Sequence, residues 1–190
     1  FSPVTFIFKG GVHHRDSTGE NEVVYAGGTQ WMNSGKGVVH SERPPKELAK
    51  KGGDFEIIQF WVNSPSTHKM KEPTYQPLKN EDTPKVNEEK IEIGVVAGEF
   101  EGVKGPAKAD SELLLLRLDF KAGAEREIAI PKDYNTLIYF LDGKATVNND
   151  IEVKAKDMVY FNNDGDGIKI TTTEDTRAII LSGKPINEPV

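Results

Sequence analysis

The chain has 190 residues, with 24 Lys or Arg against 30 Asp or Glu, so its net charge at neutral pH is −6. This length allows one large domain or two small ones, and the acidic balance argues against nucleic acid or an anionic membrane as main partner. The absence of cysteine excludes disulfides, thiolate metal ligands and a cysteine nucleophile. No apolar run reaches the roughly 18 residues of a membrane span, and we expect a cytoplasmic protein.

Short strand-like runs separated by turns fill the first part of the chain. Residues 4–8 are β-branched or aromatic and end at a glycine, and residues 12–25 are typical of a hairpin around an Asp-Ser-Thr-Gly turn. Adjacent side chains of a strand face opposite ways, so His13 and His14 are not expected to serve one site together. Near a hairpin tip, solvent exposure is the favoured interpretation for both histidines.

Residues 27–42 form the stretch around which the candidate site is organised. A glycine-punctuated loop leads into Val-Val-His-Ser-Glu, and alternation along a strand places His40 and Glu42 on the same face. An imidazole and a carboxylate so placed could chelate one metal ion such as non-haem iron, manganese or zinc. The alternative is a surface strand that carries two polar residues.

A further strong strand is predicted over 54–63, and most of the remaining chain again consists of short strand-like runs separated by turns. Residues 64–90 are rich in proline, lysine and other polar residues, which favours a long surface connection. From residue 91 short β-like runs resume, and no segment keeps a helical period over three turns. The sequence therefore predicts an all-β protein of the sandwich or barrel kind.

The two halves of the chain show a weak internal repeat. Residues 4–10 and 137–143 share a strand that ends in a turn glycine, and a later match places Ile168 opposite His40 and Ile170 opposite Glu42. A duplicated barrel with one polar site and one aliphatic core would give this pattern. We therefore expect Ile168 and Ile170 to be buried in the second half, with no metal nearby.

Several strings together resemble the pirin family of bicupins. They are Gly-Thr-Gln-Trp-Met-Asn-Ser-Gly-Lys-Gly-Val-Val-His-Ser-Glu-Arg-Pro at 28–44, His-Arg-Asp-Ser-Thr-Gly at 14–19, Gln-Phe-Trp-Val-Asn-Ser-Pro at 59–65, Glu-Pro-Thr-Tyr-Gln at 72–76 and the closing 181–190. The resemblance implies two antiparallel cupin β-barrels packed together: residues 1–108, which hold the metal site and the connecting segment, and residues 109–190, without a metal site.

In the family the metal is usually iron, with manganese, zinc, nickel or copper as alternatives, and three His and one Glu bind it. The resemblance assigns His40 and Glu42 as metal ligands and places the other two ligands, a His-x-His motif, just before Phe1. Because the chain begins at Phe1, we expect a fragment or a processed form that binds metal weakly or not at all. His13 or His14 could replace a missing ligand, although the family places this His-Arg-Asp string at the far end of a hairpin.

The resemblance implies three functional hypotheses. The first is a metal-dependent dioxygenase of the quercetinase type, an oxidoreductase that cleaves a small flavonol-like aromatic substrate. There Glu42 would be ligand and catalytic base, and Trp31, Gln59 and Trp61 could line the pocket, with core packing favoured for both tryptophans. The second is a redox- or metal-responsive transcriptional cofactor that binds a protein partner and makes no direct contact with nucleic acid or membrane. The third is a metal-free fragment without activity.

Overall fold

The structure is a computed structural model that describes residues 1–190, and its regular structure is almost entirely β-strand. The only helical pieces are helix α1 (Lys46–Lys51) and a 3₁₀ turn (Asn80–Asp82). The all-β prediction is confirmed. The chain divides into two compact units, Phe1–Thr83 with Ile186–Val190, and Pro84–Pro185. No helix is long and apolar enough to cross a membrane.

The first unit contains two antiparallel sheets. Its strands are β1 (Ser2–Lys9), β2 (Gly11–Asp16), β3 (Asn21–Tyr25), β4 (Thr29–Asn33), β5 (His40–Arg43), β6 (Glu56–Val62) and β7 (Thr74–Leu78). One sheet has the order β6-β1-β4-β7 and the other has the order β3-β2-β5. Strand β2 is therefore the central strand of the smaller sheet, and both of its edges are paired.

The pairing of the larger sheet aligns side chains into rows. Thr5 on β1 lies opposite Gln30 on β4 and opposite Gln59 on β6, which gives a polar row across three strands. Two residues further along the same face of β1, Ile7 belongs to a buried cluster with Val12 and Val24. This face of the larger sheet thus changes from aliphatic to polar over one side-chain spacing.

The second unit is also built from antiparallel strands. They are β8 (Lys85–Glu88), β9 (Ile91–Ala97), β10 (Glu99–Phe100), β11 (Val103–Lys104), β12 (Leu113–Phe120), β13 (Glu125–Ala129), β14 (Asn135–Asp142), β15 (Lys144–Val147), β16 (Ile151–Lys154), β17 (Met158–Tyr160), β18 (Gly167–Thr172) and β19 (Thr176–Gly183). A six-stranded sheet has the order β17-β14-β19-β12-β9-β8, a four-stranded sheet the order β13-β18-β15-β16, and β10 pairs with β11.

The core of the second unit is aliphatic and aromatic throughout. Leu116, Phe120 and Phe140 of the six-stranded sheet share one buried cluster with Ile168 and Ile170 of the four-stranded sheet. These two isoleucines are only 2% and 1% exposed, so their predicted burial is confirmed. Burial of this apolar surface is the main stabilising contribution available to such a sheet pair.

The turn glycine of the internal repeat has the same conformation in both units. Gly10, after β1, has φ 75°, and Gly143, after β14, has φ 79°. This left-handed region is unfavourable for residues with a Cβ, and at Gly10 a Cβ would also lie 2.8 Å from the carbonyl oxygen of Asp54. Glycine is therefore required at the corner where each unit begins its hairpin.

The connection predicted over 64–90 is more structured than expected. It includes β7, which pairs with β4, and β8, which pairs with β9 of the second unit. The segment is largely exposed or half-buried, but the prediction of a long surface connection did not include these two edge strands, which its polar and proline-rich sequence conceals. The two compact units divide after Thr83, and β9 pairs along β12 within the second unit. The domain boundary after residue 108 stays a prediction.

Candidate metal centre

Strands β2 and β5 bring the candidate donors together. In their antiparallel register His14 lies opposite Glu42 and Asp16 lies opposite His40. The nitrogen and oxygen ligand atoms of His14, His40 and Glu42 all lie within 4.8 Å of one another. The structure therefore brings His40 and Glu42 together, as their alternation along one strand suggests, and adds His14 as a third donor.

The expected exposure of His14 is wrong. Its side chain is 0% exposed, because β2 is the central strand of its sheet and the ring of Tyr75 stacks on the imidazole with centroids 4.0 Å apart and planes 6° apart. His13 faces the other way, is partly exposed and has its Nε2 2.7 Å from Oδ1 of Asn21. The two histidines lie on opposite faces of β2, as predicted, but only the face that carries His13 is open to solvent.

Asp16, which the sequence did not predict as a site residue, holds the buried His14 through a hydrogen bond. The Nε2 atom of His14 lies 2.8 Å from Oδ2 of Asp16, whose side chain is only 2% exposed. Burial alone would raise the pKa of Asp16, but hydrogen bonds from the Thr18 hydroxyl, His14 and the backbone N–H groups of Thr18 and Glu20 outweigh it and lower the pKa to about 2. The spacing His-x-Asp places both side chains on one face of a strand, and this pattern in the sequence could have indicated the pair.

The second ring nitrogen of His14 has no partner. Nδ1 is buried and makes no hydrogen bond. It lies 4.0 Å from Oε1 of Glu42, a separation too long for a hydrogen bond. A buried polar atom without a partner is uncommon in a native structure, and a ligand bound between His14 and Glu42 would satisfy this one.

Two glutamine amides hold the Glu42 carboxylate. Gln30 donates its Nε2–H to Oε1 of Glu42, and Gln59 donates its Nε2–H to Oε2 at 2.9 Å. Gln59 also donates to the Thr5 hydroxyl at 3.0 Å. Both carboxylate oxygens are thereby fixed by the polar row of the larger sheet, while Glu42 itself belongs to the smaller one.

Each amide is oriented in turn by an aromatic donor. The Tyr75 hydroxyl donates to Oε1 of Gln30 at 2.8 Å, and the Trp61 indole N–H donates to Oε1 of Gln59 at 3.3 Å. Burial, followed by the nearby carboxylates with Glu42 first, raises the pKa of Tyr75 far above its usual value, so its hydroxyl remains a donor. The donor and acceptor ends of both amides are therefore determined by the network.

The two tryptophans have different environments. Trp31 is 2% exposed, which agrees with core packing, whereas Trp61 is 64% exposed and stacks on Phe1 with ring centroids 4.4 Å apart. Core packing is therefore wrong for Trp61. Gln59 contacts the site directly through Glu42, as the previous hydrogen bonds show.

The donor set fits a divalent first-row metal ion. Two imidazoles and one carboxylate suit iron, manganese, nickel and zinc, and thiolate-preferring ions are disfavoured because no cysteine is present. The unpartnered Nδ1 of His14 supplies a lone pair, or an unsatisfied N–H, directed toward Glu42. Hydrogen-bonded partners around a ligand set are characteristic of protein metal sites.

Comparison with known proteins assigns the chain to a family. The family model Pirin matches residues 1–62, and the model of the Pirin C-terminal cupin domain matches residues 115–190. A pirin-like protein of Caulobacter vibrioides is 33% identical over 193 residues, with coverage of 100% of this chain and 68% of the relative. The chain belongs to the pirin family. Its all-β architecture is the two-cupin fold of the pirins.

Solved structures agree with the assignment to the pirins. Quercetin 2,3-dioxygenase from Acinetobacter baumannii superposes with a TM-score of 0.95 at 34% identity, over 100% of this pirin chain and 66% of that one. A bacterial pirin from Escherichia coli in complex with nickel(II) has a TM-score of 0.76 at 22% identity, over 97% and 73%, which shows the shared fold. This pirin chain spans between 60% and 70% of the length of the curated relatives it matches.

Proposed function

We propose that this pirin chain carries the metal centre of a dioxygenase of the quercetinase type, which cleaves flavonols. His40 and Glu42 are metal ligands in this proposal, and His14 is a third donor. The observation that carries it is the convergence of the three ligand atoms within 4.8 Å around an unpartnered buried nitrogen. The similarity to a quercetin 2,3-dioxygenase supports the choice of reaction.

Glu42 has the geometry for two roles. Each of its oxygens accepts one amide N–H, from Gln30 or Gln59, and so keeps a further acceptor position. One oxygen can bind the metal while the other accepts the proton of the substrate hydroxyl, as a catalytic base does. A bound metal ion would supply Lewis acidity and the redox chemistry that a reaction with O₂ requires.

The first prediction tests this site by substitution. His40 and Glu42 alone would hold a metal weakly, but with His14 as a third donor we expect elemental analysis to find about one iron, manganese or nickel per chain after removal of loosely bound ions. We also expect O₂ uptake when quercetin is added. His40→Ala and Glu42→Gln should lower metal affinity by more than the roughly 10- to 100-fold typical of an outer-partner substitution. Quercetin turnover should disappear in both variants.

His13, next to His14 on β2, provides a matched control. His13→Ala removes an imidazole from the face of β2 opposite to His14, so it should leave metal content and turnover unchanged. Equal metal content in wild type, His40→Ala and Glu42→Gln would place the metal elsewhere. A complete absence of metal from the wild-type chain would refute the proposed centre and support the metal-free alternative.

A second function, a metal-responsive binding protein, follows from the exposure of one donor. His40 is exposed, so a metal held there would alter the surface that a partner meets. The net charge of −6 favours a basic protein as this partner rather than DNA. Stoichiometric metal without O₂ uptake on addition of quercetin would favour this function over the dioxygenase.

A further inference from the structure

We propose that Asp16 is a positioning residue that selects the tautomer of His14 able to bind the metal through Nδ1. The inference rests on the proposed metal centre and deepens it. It assigns a role to a carboxylate outside the donor cluster, and it specifies which of the two nitrogens of His14 is the ligand.

The hydrogen bonds of Asp16 define the direction of its bond to His14. Its Oδ1 accepts the backbone N–H of Thr18 at 2.8 Å, the Thr18 hydroxyl at 2.6 Å and the backbone N–H of Glu20 at 3.2 Å. Its Oδ2 lies 2.8 Å from Nε2 of His14. An ionised carboxylate only accepts hydrogen bonds. Nε2 of His14 therefore carries the proton and is the hydrogen-bond donor to Oδ2 of Asp16.

The remaining nitrogen of a neutral His14 is then a lone-pair donor. With the proton on Nε2, Nδ1 is unprotonated, and it is the buried nitrogen without a partner. It lies 4.0 Å from Oε1 of Glu42, and two acceptors at this distance cannot satisfy each other. A cation that binds both atoms would satisfy them together. Asp16 would then be the carboxylate that holds the other ring nitrogen, an arrangement common for metal-bound histidines.

The ring of His14 has little freedom to exchange its two nitrogens. Its side chain is fully buried, and the nearly coplanar ring of Tyr75 covers one face of it. A rotation of the ring that moved Nδ1 toward Asp16 would break a buried charge-assisted hydrogen bond. The tautomer and the orientation are therefore set by the same contact.

Asp16→Asn is the sharpest test because the shape of the side chain is conserved. Three donors surround the position of Oδ1, so the carbonyl oxygen of the asparagine will remain there and its NH₂ group will face His14. Nε2 must then accept a hydrogen bond, and the proton moves to Nδ1. The variant should thus present an N–H where the wild type presents a lone pair.

Two measurements read this change separately. In the metal-free protein, ¹⁵N chemical shifts of the imidazole should show the Nε2–H tautomer of His14 in the wild type and the Nδ1–H tautomer in Asp16→Asn, with His14→Gln identifying the signal. Titration with Co²⁺, followed by its visible absorption, should show affinity roughly 10- to 100-fold weaker in the variant. Glu20→Gln, which removes one exposed negative charge from the same turn, should change neither measurement.

The outcomes separate this inference from the proposed function. If the wild type binds no Co²⁺, the proposed metal centre fails, and His14 loses its role as a ligand with it. If the wild type binds Co²⁺ but Asp16→Asn binds it equally well, the metal centre stands and the inference is overturned. An unchanged His14 tautomer in the variant would also overturn it, whatever the Co²⁺ affinity.

Discussion

At the scale of single residues, Asp16 links a turn to the candidate site. One carboxylate oxygen closes the turn after β2 through Thr18 and Glu20, and the other holds His14. Side-chain bonds of this kind are a common reason for aspartate in tight turns. Here the bond also fixes the carboxylate beside the candidate metal centre, so the turn sequence and the site geometry are coupled.

The depressed pKa of Asp16 predicts a pH-dependent contribution to stability. Its folded pKa of about 2 lies below the unfolded value of about 4, so the contribution is present above pH 4 and is lost as the pH falls toward 2. Thr18→Val removes the 2.6 Å hydroxyl donor and should raise this pKa. We expect the variant to be less stable by about 1 kcal/mol at pH 6, with a smaller difference at pH 3.

Denaturant unfolding at both pH values measures this difference, and a ¹³C titration of the Asp16 carboxyl measures the pKa directly. Thr74→Val, a change of an exposed threonine on β7, provides the control and should show no pH-dependent difference. A loss of stability in Thr18→Val that is equal at pH 6 and pH 3 would mean that the hydroxyl acts on the turn and not on the charge of Asp16.

At the scale of strands, equivalent strand pairs of the two units carry polar side chains in one unit and aliphatic side chains in the other. In the first unit the hairpin strand β2 pairs with β5 and places His14 opposite Glu42. In the second unit the hairpin strand β15 pairs with β18 and places Val147 opposite Ile170. A polar pair that faces a site in one unit is replaced by an aliphatic pair within the core of the other.

This replacement predicts a large cost for a carboxylate at the second position. Ile170 is 1% exposed within an apolar cluster, so Ile170→Glu would bury a charge with no polar partner. We expect a loss of about 3–5 kcal/mol in the free energy of unfolding. Ile151→Glu, on strand β16 of the same sheet but at a residue that is 45% exposed, should cost far less. Thermal unfolding of both variants measures the two losses. Similar losses in both variants would show that the second core tolerates polar groups.

The sequence predicted local features of these strands better than their partners. Alternation along one strand is sufficient to place His40 and Glu42 on a common face, and the repeat is sufficient to predict the burial of Ile170. The role of His14 depends instead on the pairing of β2 with β5, which joins distant parts of the chain. Edge strand β7 was missed for a similar reason, since its proline-containing sequence becomes a strand only beside β4.

At the scale of the molecule, the candidate site is built within one compact unit. All the donors and the residues that hold them lie between Thr5 and Tyr75, within Phe1–Thr83. The second unit supplies a continuous apolar core at the equivalent place. The function proposed here is therefore a property of the first unit, and the binding of a metal should stabilise that unit in particular.

Hydrogen exchange with and without Co²⁺ can test this localisation. A ligand at 100 times its Kd stabilises the state that binds it by about 2.7 kcal/mol, which slows exchange through unfolding of that state by roughly 100-fold. We expect slower exchange in peptides that contain β2 and β5, and much smaller changes in β12 and β19 of the second unit. His40→Ala, measured at the same Co²⁺ concentration, should lose the protection of β2 and β5. Protection confined to the second unit would contradict the assignment, because the ion would then be bound away from His14, His40 and Glu42.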